Sequence, residues 1–176
     1  GALTESQKRQ YEEALTPKLR SKEELEKNFG VKVLTVAADI TAGTDNEATT
    51  KMVVEAAIKE FGRIDVLINN AQASASGVTL QDHTTEQFDL AIYSGLYAAF
   101  YYMKACYPYL KETQGSIINF ASGAGLFGNF GQCAYAAAKE GIRGLSRVAA
   151  ILSARLHGQA SWNNLKKRIR MHSKQM

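Results

Sequence analysis

Three short runs of apolar residues mark the strands that this sequence predicts. Each run is rich in Val, Leu or Ile, as strands buried in a sheet are. The runs cover residues 31–37, 64–68 and 116–120. Because helical segments lie between them, the strands are expected to be parallel and joined by right-handed crossovers. The sequence therefore predicts an α/β fold, a sheet layered with helices.

The first 30 residues are polar and charged, and their pattern predicts two helices separated at Pro17. The second helix carries strong end signals. Ser21 is placed as its N-cap, Glu24 completes a capping box, and Gly30 stops it.

Three longer helices follow from apolar residues spaced three and four apart. One runs from Thr44 to a C-cap at Gly62, one from about Thr84 to Leu110, and one opens near Gln132. The second of these is apolar along more than one stripe, which predicts burial on both of its sides.

Composition limits the class of protein without defining its chemistry. A chain of 176 residues with 45% hydrophobic and 22% charged residues is typical of one globular domain, here residues 1–176. No apolar run approaches the length of a membrane span. The net charge of +4 is concentrated in a basic, helix-patterned tail at residues 151–176, so the body is near neutral. This distribution argues against nucleic acid, and a solvated charged end is favoured over an anion-binding tail.

Two cysteines, Cys106 and Cys133, are too few for a disulfide framework and fit a reducing compartment. The start of the chain also lacks the apolar core of a signal peptide, so a cytoplasmic location is expected. Cys133 as a thiol nucleophile is an alternative, but no histidine lies in a matching motif. A small buried thiol is the preferred interpretation.

The candidate chemistry lies between the third strand and the helix that follows it. Tyr135 and Lys139 are four residues apart, so a helix places both on one face, where the ammonium favours the phenolate form. Ser122, just after the strand, could hydrogen-bond a substrate oxygen at the same point. Alone, the Tyr-x-x-x-Lys pair is a common surface feature. In this context of strand, loop and Ala-rich helix, the catalytic interpretation is preferred.

The same loop contains a glycine pattern that imitates a dinucleotide fingerprint. Gly123, Gly125 and Gly128 follow a strand with the spacing G-x-G-x-x-G. The loop is predicted to continue to Gln132 before a helix opens, and no acid lies about 20 residues further on to hold a ribose. We therefore interpret these glycines as flexible backbone beside Ser122 rather than as a phosphate site.

Ser122, Tyr135 and Lys139, in this order and spacing, resemble the short-chain dehydrogenase/reductase family. The resemblance covers about residues 31–150. It implies a Rossmann-like doubly wound parallel sheet with helices on both faces, here lacking the first strands and the C-terminal strands. It also implies hydride transfer between NAD or NADP and an alcohol or ketone. Tyr135 would be the general acid/base, Lys139 would support it and hold the nicotinamide ribose, and Ser122 would orient the carbonyl.

The resemblance implies further cofactor contacts at the ends of the first two predicted strands. Asp39 and Ile40 follow the first, and Asn69 and Ala71 follow the second, where they would line the adenosine side. For Asp39 alone, a turn-capping role is the simpler interpretation.

Two positions depart from the family's pattern. Gln72 stands where the family has glycine, and Gly95 stands where it has a catalytic asparagine that relays protons through water. Since glycine has no side chain for this relay, replacing Gly95 with asparagine is predicted to raise turnover.

These departures, and the absence of the family's phosphate-binding turn from residues 1–30, leave an alternative open. In that alternative the chain is a non-catalytic member or fragment that serves as an assembly or binding module. For the enzyme, the resemblance implies a homodimer or homotetramer built through the helices from Thr84 and Gln132. No metal is expected in either case.

Overall fold

The computed structural model describes residues 21–156, with side chains described to residue 151, and its contacts separate residues 1–35 from residues 36–176. In the first unit, helix α1 (Lys22–Phe29) forms where the end signals predict it. The Ser21 hydroxyl accepts a hydrogen bond from the Glu24 amide at 3.2 Å, and the Glu24 carboxylate accepts one from the Ser21 amide at 3.0 Å. Gly30 ends the helix at φ 62°. The helix predicted before Pro17 lies outside the described residues, and the single-domain assignment stays a prediction.

The strand predicted at residues 31–37 does not form, so that prediction is wrong. A strand satisfies its backbone through a neighbouring strand, and within residues 21–156 the two strands present pair with each other. The Val33 amide instead donates to the Glu26 carboxylate at 3.0 Å. An apolar run alone therefore did not specify a strand here.

The sheet of the second unit consists of β1 (Val66–Asn69) and β2 (Ser116–Asn119). They are parallel and in register from Val66 opposite Ser116 to Asn69 opposite Asn119, which confirms the predicted parallel pairing. Both strands are shorter than their apolar runs. Inward and outward side chains alternate along each strand, and Leu67 and Ile117 point to the packed face.

Helix α2 (Asn46–Phe61) covers that packed face together with a second helix of equal length, described below. The Asp45 carboxylate caps α2 by accepting from the Ala48 amide at 2.9 Å, and Gly62 ends it at φ 75°, as predicted. Its Val54 forms the buried core with Cys106 and Leu110. This core fixes the helices against the strands that carry the candidate site.

The helical run between the strands has three parts, α3 (Thr85–Ala91), a π-helical segment (Ile92–Tyr97) and α4 (Ala98–Thr113). The predicted helix is thus confirmed in place, and in the single chain one of its sides is only partly buried. Several of its large apolar side chains are about 40% exposed, namely Phe88, Leu90, Tyr97 and Phe100.

Two helices follow β2. Helix α5 (Gly123–Phe127) is short, and α6 (Cys133–Leu156) begins one residue after the predicted opening at Gln132. The prediction of flexible backbone from Gly123 is therefore wrong for five residues. Of the basic tail, residues 157–176 lie outside the described part of the chain.

Candidate active site

Ser122 lies at the carboxyl end of β2, where the chain turns into α5. Its backbone is extended, and its hydroxyl accepts from the Ala124 amide at 3.2 Å, which makes it the N-cap of α5. A hydroxyl that accepts in this way still has its own hydrogen to donate. Helix α5 packs closely on α6, because a side chain at Gly125 would begin only 3.0 Å from the Glu140 amide nitrogen. Ser122 is thus anchored beside the turn of α6 that carries Lys139.

Tyr135 and Lys139 lie one turn apart on α6. The Lys139 ammonium is 5.5 Å from the centroid of the Tyr135 ring, within the range of a cation–π contact. Tyr135 is half-buried. The structure therefore brings the two side chains together, as their spacing predicted.

Lys139 is 5% exposed, which the sequence did not predict. Its ammonium donates to the Phe120 carbonyl at 2.8 Å, one residue beyond β2. Burial lowers the pKa of Lys139 because desolvation disfavours the charged form. An ammonium has three N–H donors, and within the described residues this bond uses one of them. The remaining donors fit a ligand that brings hydroxyl groups to this edge of the sheet, such as a ribose.

A chain of side-chain hydrogen bonds joins both strand ends to α6. Asn69 donates to Asn119 at 2.8 Å, Asn119 donates to Ser146 at 2.8 Å, and Ser146 donates to the Ile142 carbonyl at 2.7 Å. Of these residues, only Asn69 was among the sequence-predicted site residues. The available signal was an asparagine close to the end of each apolar run, Asn69 just after the one at residues 64–68 and Asn119 within the one at residues 116–120, and parallel register then sets the two amides side by side.

The remaining predicted cofactor contacts lie on loops. Asp39 is exposed and accepts from the Thr41 hydroxyl at 3.5 Å, and Ile40 is half-buried. Since residues 31–37 form no strand, the premise that Asp39 ends a strand is wrong. Ala71 is exposed, two residues after β1.

The two departures from the family's pattern contact each other. Gly95 is buried in the π-helical segment, and a side chain there would begin 2.6 Å from the Cδ atom of Gln72. An asparagine at position 95 must therefore displace the Gln72 carboxamide, a change that the predicted rise in turnover did not include. Ser94 donates to the Ala73 carbonyl at 3.0 Å and accepts from the Ala73 amide at 3.0 Å.

A pocket of about 390 Å³ opens beside the first turn of α6. Its walls are mostly apolar and come from two loops and from α6, where Cys133 and Ala136 line it. The loops meet at two glycines, since the Gly77 amide donates to the Gly131 carbonyl at 2.9 Å. Cys133 is half-buried rather than the buried thiol that was predicted. The loop residues that line the pocket are Val78, Thr79, Leu80, Gln81, Gly128, Asn129, Phe130 and Gly131.

The described residues contain no group of three His, Cys, Asp or Glu side chains that could hold a metal ion. Over the same range, no helix has both the length and the apolar character needed to cross a bilayer.

Comparison with known proteins places this geometry in context. A family model described as short chain dehydrogenase matches residues 11–156, a wider range than the resemblance in sequence suggested. A 12alpha-hydroxysteroid dehydrogenase from Clostridium sp. is 70% identical over 132 residues, 75% of this chain and 51% of that protein. A trans-4-hydroxycyclohexanecarboxylate dehydrogenase from Sinomonas cyclohexanicum is 42% identical over 61% of this chain and 41% of its own length.

Solved structures agree with this match. An NAD+-bound xylitol dehydrogenase has a TM-score of 0.69 at 27% identity, over 76% of this chain and 50% of its own. A levodione reductase has a TM-score of 0.67 at 32% identity, over 74% and 50%. The chain thus spans about half the length of these relatives.

Proposed function

The chain belongs to the short-chain dehydrogenase family, and from this membership we propose that the protein transfers a hydride between NAD or NADP and an alcohol or ketone. The observation that carries the proposal is the buried Lys139 ammonium, which lies 5.5 Å from the Tyr135 ring and binds the Phe120 carbonyl at the carboxyl end of β2, two residues before Ser122. Open parallel sheets bind their ligands at this end. The comparisons favour no non-enzymatic role for the chain.

In this proposal NAD or NADP, when bound, supplies or accepts the hydride, and the chain's own residues handle the proton. During ketone reduction the Tyr135 hydroxyl gives its proton to the carbonyl oxygen as the carbonyl carbon gains the hydride. Ser122 donates a hydrogen bond to the same oxygen and so orients it. The buried Lys139 ammonium stabilises the phenolate that Tyr135 becomes.

The cofactor contacts are proposed on the same grounds. Lys139 would donate its free N–H groups to hydroxyls of the nicotinamide ribose. Asp39, Ile40, Asn69 and Ala71 would line the adenosine side. The Asn69 amide already binds Asn119, so we expect its contribution to be positional.

The pocket supports a substrate with an apolar body. Leu80 and Phe130, two of its lining residues, are about 80% exposed, as is the nearby Phe127 at 88%. Such side chains gain from covering apolar ligand surface. Because the 70% identical relative is a hydroxysteroid dehydrogenase, we infer a hydroxylated apolar ring system as the substrate class.

We further propose a homodimer or homotetramer in the cytoplasm. The apolar side chains left exposed on α3, the π-helical segment and α4 would be covered by a second copy.

Replacement of Tyr135 by phenylalanine tests the proposed function. Removal of the proton donor is expected to lower kcat by about 10²–10⁴-fold without unfolding the protein. The assay is the absorbance of NADH and NADPH with a hydroxysteroid and, for comparison, a small secondary alcohol. Tyr109→Phe is the matched control, because Tyr109 packs on the core of α2 and α4. A Tyr135→Phe protein with most of its activity intact would refute the assignment.

A further inference from the structure

The Gln72 side chain fills the space that a side chain at position 95 would need. An ideal Cβ atom on Gly95 would lie 2.6 Å from Cδ and 2.7 Å from Nε2 of Gln72. Both distances are too short for real contacts. Any residue larger than glycine at position 95 must therefore displace the Gln72 carboxamide.

That carboxamide is only partly satisfied. Its Nε2 donates to the Ala91 carbonyl at 3.4 Å, whereas its Oε1 is buried and has no hydrogen-bond partner among the described residues. A buried amide oxygen without a donor is costly, so such groups usually hold a water or a ligand group. The unpaired Oε1 of Gln72 thus marks a position where a bound N–H or O–H group would be stabilised.

The position of Gln72 connects it to the candidate active site. Gln72 follows the end of β1 by three residues, and Phe120, whose carbonyl binds the Lys139 ammonium, follows the end of β2 by one. Since the two strands are parallel and in register, both residues lie at the same edge of the sheet.

The helices make the same connection. The π-helical segment that carries Gly95 packs tightly on α6, where a side chain at Gly141 would begin 2.8 Å from Leu96. Gly141 lies two residues beyond Lys139 on α6. The Gln72 carboxamide therefore lies against the segment that carries Gly95, and that segment packs on the helix that carries Lys139.

We propose that Gln72 is a positioning residue of the hydride-transfer site, with its Oε1 holding a water that also binds the Lys139 ammonium. Gly95 is part of the same device, because its missing side chain leaves room for the carboxamide. This inference rests on the proposed function.

Single and double substitutions in the full chain test the device. Gln72→Ala removes the carboxamide and is expected to lower kcat about tenfold, while the cofactor Kd stays unchanged. Gly95→Ala should cause a similar loss, because its methyl group displaces the same carboxamide. The double variant should lose no more than either single one. Gly144→Ala is the matched control, since a Cβ atom there meets nothing within 4 Å.

A rescue separates a positioning role from a purely structural one. The double variant Gln72→Gly with Gly95→Asn removes the carboxamide from residue 72 and places one on residue 95, in the helical run. We expect this variant to recover most of the kcat that Gln72→Ala loses. Gly95→Asn alone, with Gln72 present, should lower kcat.

Three results would overturn this inference. They are an unchanged kcat in Gln72→Ala, additive losses in the double variant, and no recovery in the exchanged pair. If the unmodified protein turns over, these results reject the role of Gln72 alone. An unmodified protein without turnover rejects the proposed function, and this role with it.

Discussion

Cys106 illustrates how much a single buried group can contribute. Its thiol is 3% exposed and packs between Val54 and Leu110 in the core of the second unit. Burial raises the pKa of the Cys106 thiol from 9.0 to about 11, because the thiolate would lose its hydration. The folded state therefore keeps the proton at a pH where the unfolded chain releases it.

This difference predicts a loss of stability in alkaline solution. The contribution of Cys106 is fully present below pH 9 and is lost as the pH rises through about 11. Two pKa units correspond to about 3 kcal/mol in the free energy of unfolding. Urea unfolding between pH 8 and pH 11 measures it.

Comparison with Cys106→Ala isolates the contribution. The substitution should flatten the pH dependence whatever its cost at pH 8, and Cys133→Ala, the control, should keep the slope of the unmodified protein. If the free energy of unfolding falls equally steeply with pH in Cys106→Ala and in the unmodified protein, the Cys106 thiol does not cause the alkaline loss of stability.

At the residue scale, the sequence predicted which side chains of one helix lie together but not what supports them. The proximity of Tyr135 and Lys139 could be predicted because a helix fixes the geometry of residues four apart, and their catalytic role with Ser122 stays a prediction. Gln72 and Gly95 are 23 positions apart in the sequence. Their contact depends on how the fold places the loop after β1 against the π-helical segment, which no local pattern predicts. The burial of Lys139 likewise depends on α5 and β2 rather than on its own helix.

At the element scale, signals within one helix were reliable. These signals act over a few residues, and the structure confirms each one: the capping box of Ser21 and Glu24 and the C-caps at Gly30 and Gly62. The strand at residues 31–37 was wrong because pairing is not a local property. Helix α5 was missed because Gly123–Phe127 is too short to show a period and contains two glycines.

The start of α3 provides a prediction at this scale. The Thr84 hydroxyl accepts from the Gln87 amide at 3.2 Å, and the Gln87 side chain accepts from the Thr84 amide at 3.1 Å. Thr84→Ala removes one half of this box and should lower the free energy of unfolding by about 1 kcal/mol. The measurement is urea unfolding, with Thr85→Ala, an exposed neighbour, as the control. Equal effects at both positions would show that the cap is not what stabilises this end.

At the scale of the whole molecule, the exposed apolar side chains predict assembly. Phe100 and Tyr97 are 41% and 39% exposed on neighbouring turns of one helical run. A charge there should disrupt a subunit interface, so Phe100→Glu with Tyr97→Glu is expected to convert a dimer or tetramer to monomer.

Light scattering at micromolar concentration measures this change. Met52→Glu is the control, because Met52 is 47% exposed on a different helix, α2. If the unmodified chain is already a monomer, or the double variant keeps its oligomeric mass, this interface is not used.

The π-helical segment also changes how the chain tolerates insertion and deletion. A π turn accommodates one extra residue in an α-helix, so it rotates everything beyond it by roughly 100°. The apolar positions of α3 and α4 therefore follow the helical repeat in two different phases. This shift is why these positions formed more than one stripe in the sequence. Deleting one residue between 92 and 97 would remove the π turn, so that α3 and α4 would form one regular α-helix in a single phase. It would also carry Gly95 out of phase with Gln72, so the contact between these two residues depends on the extra residue.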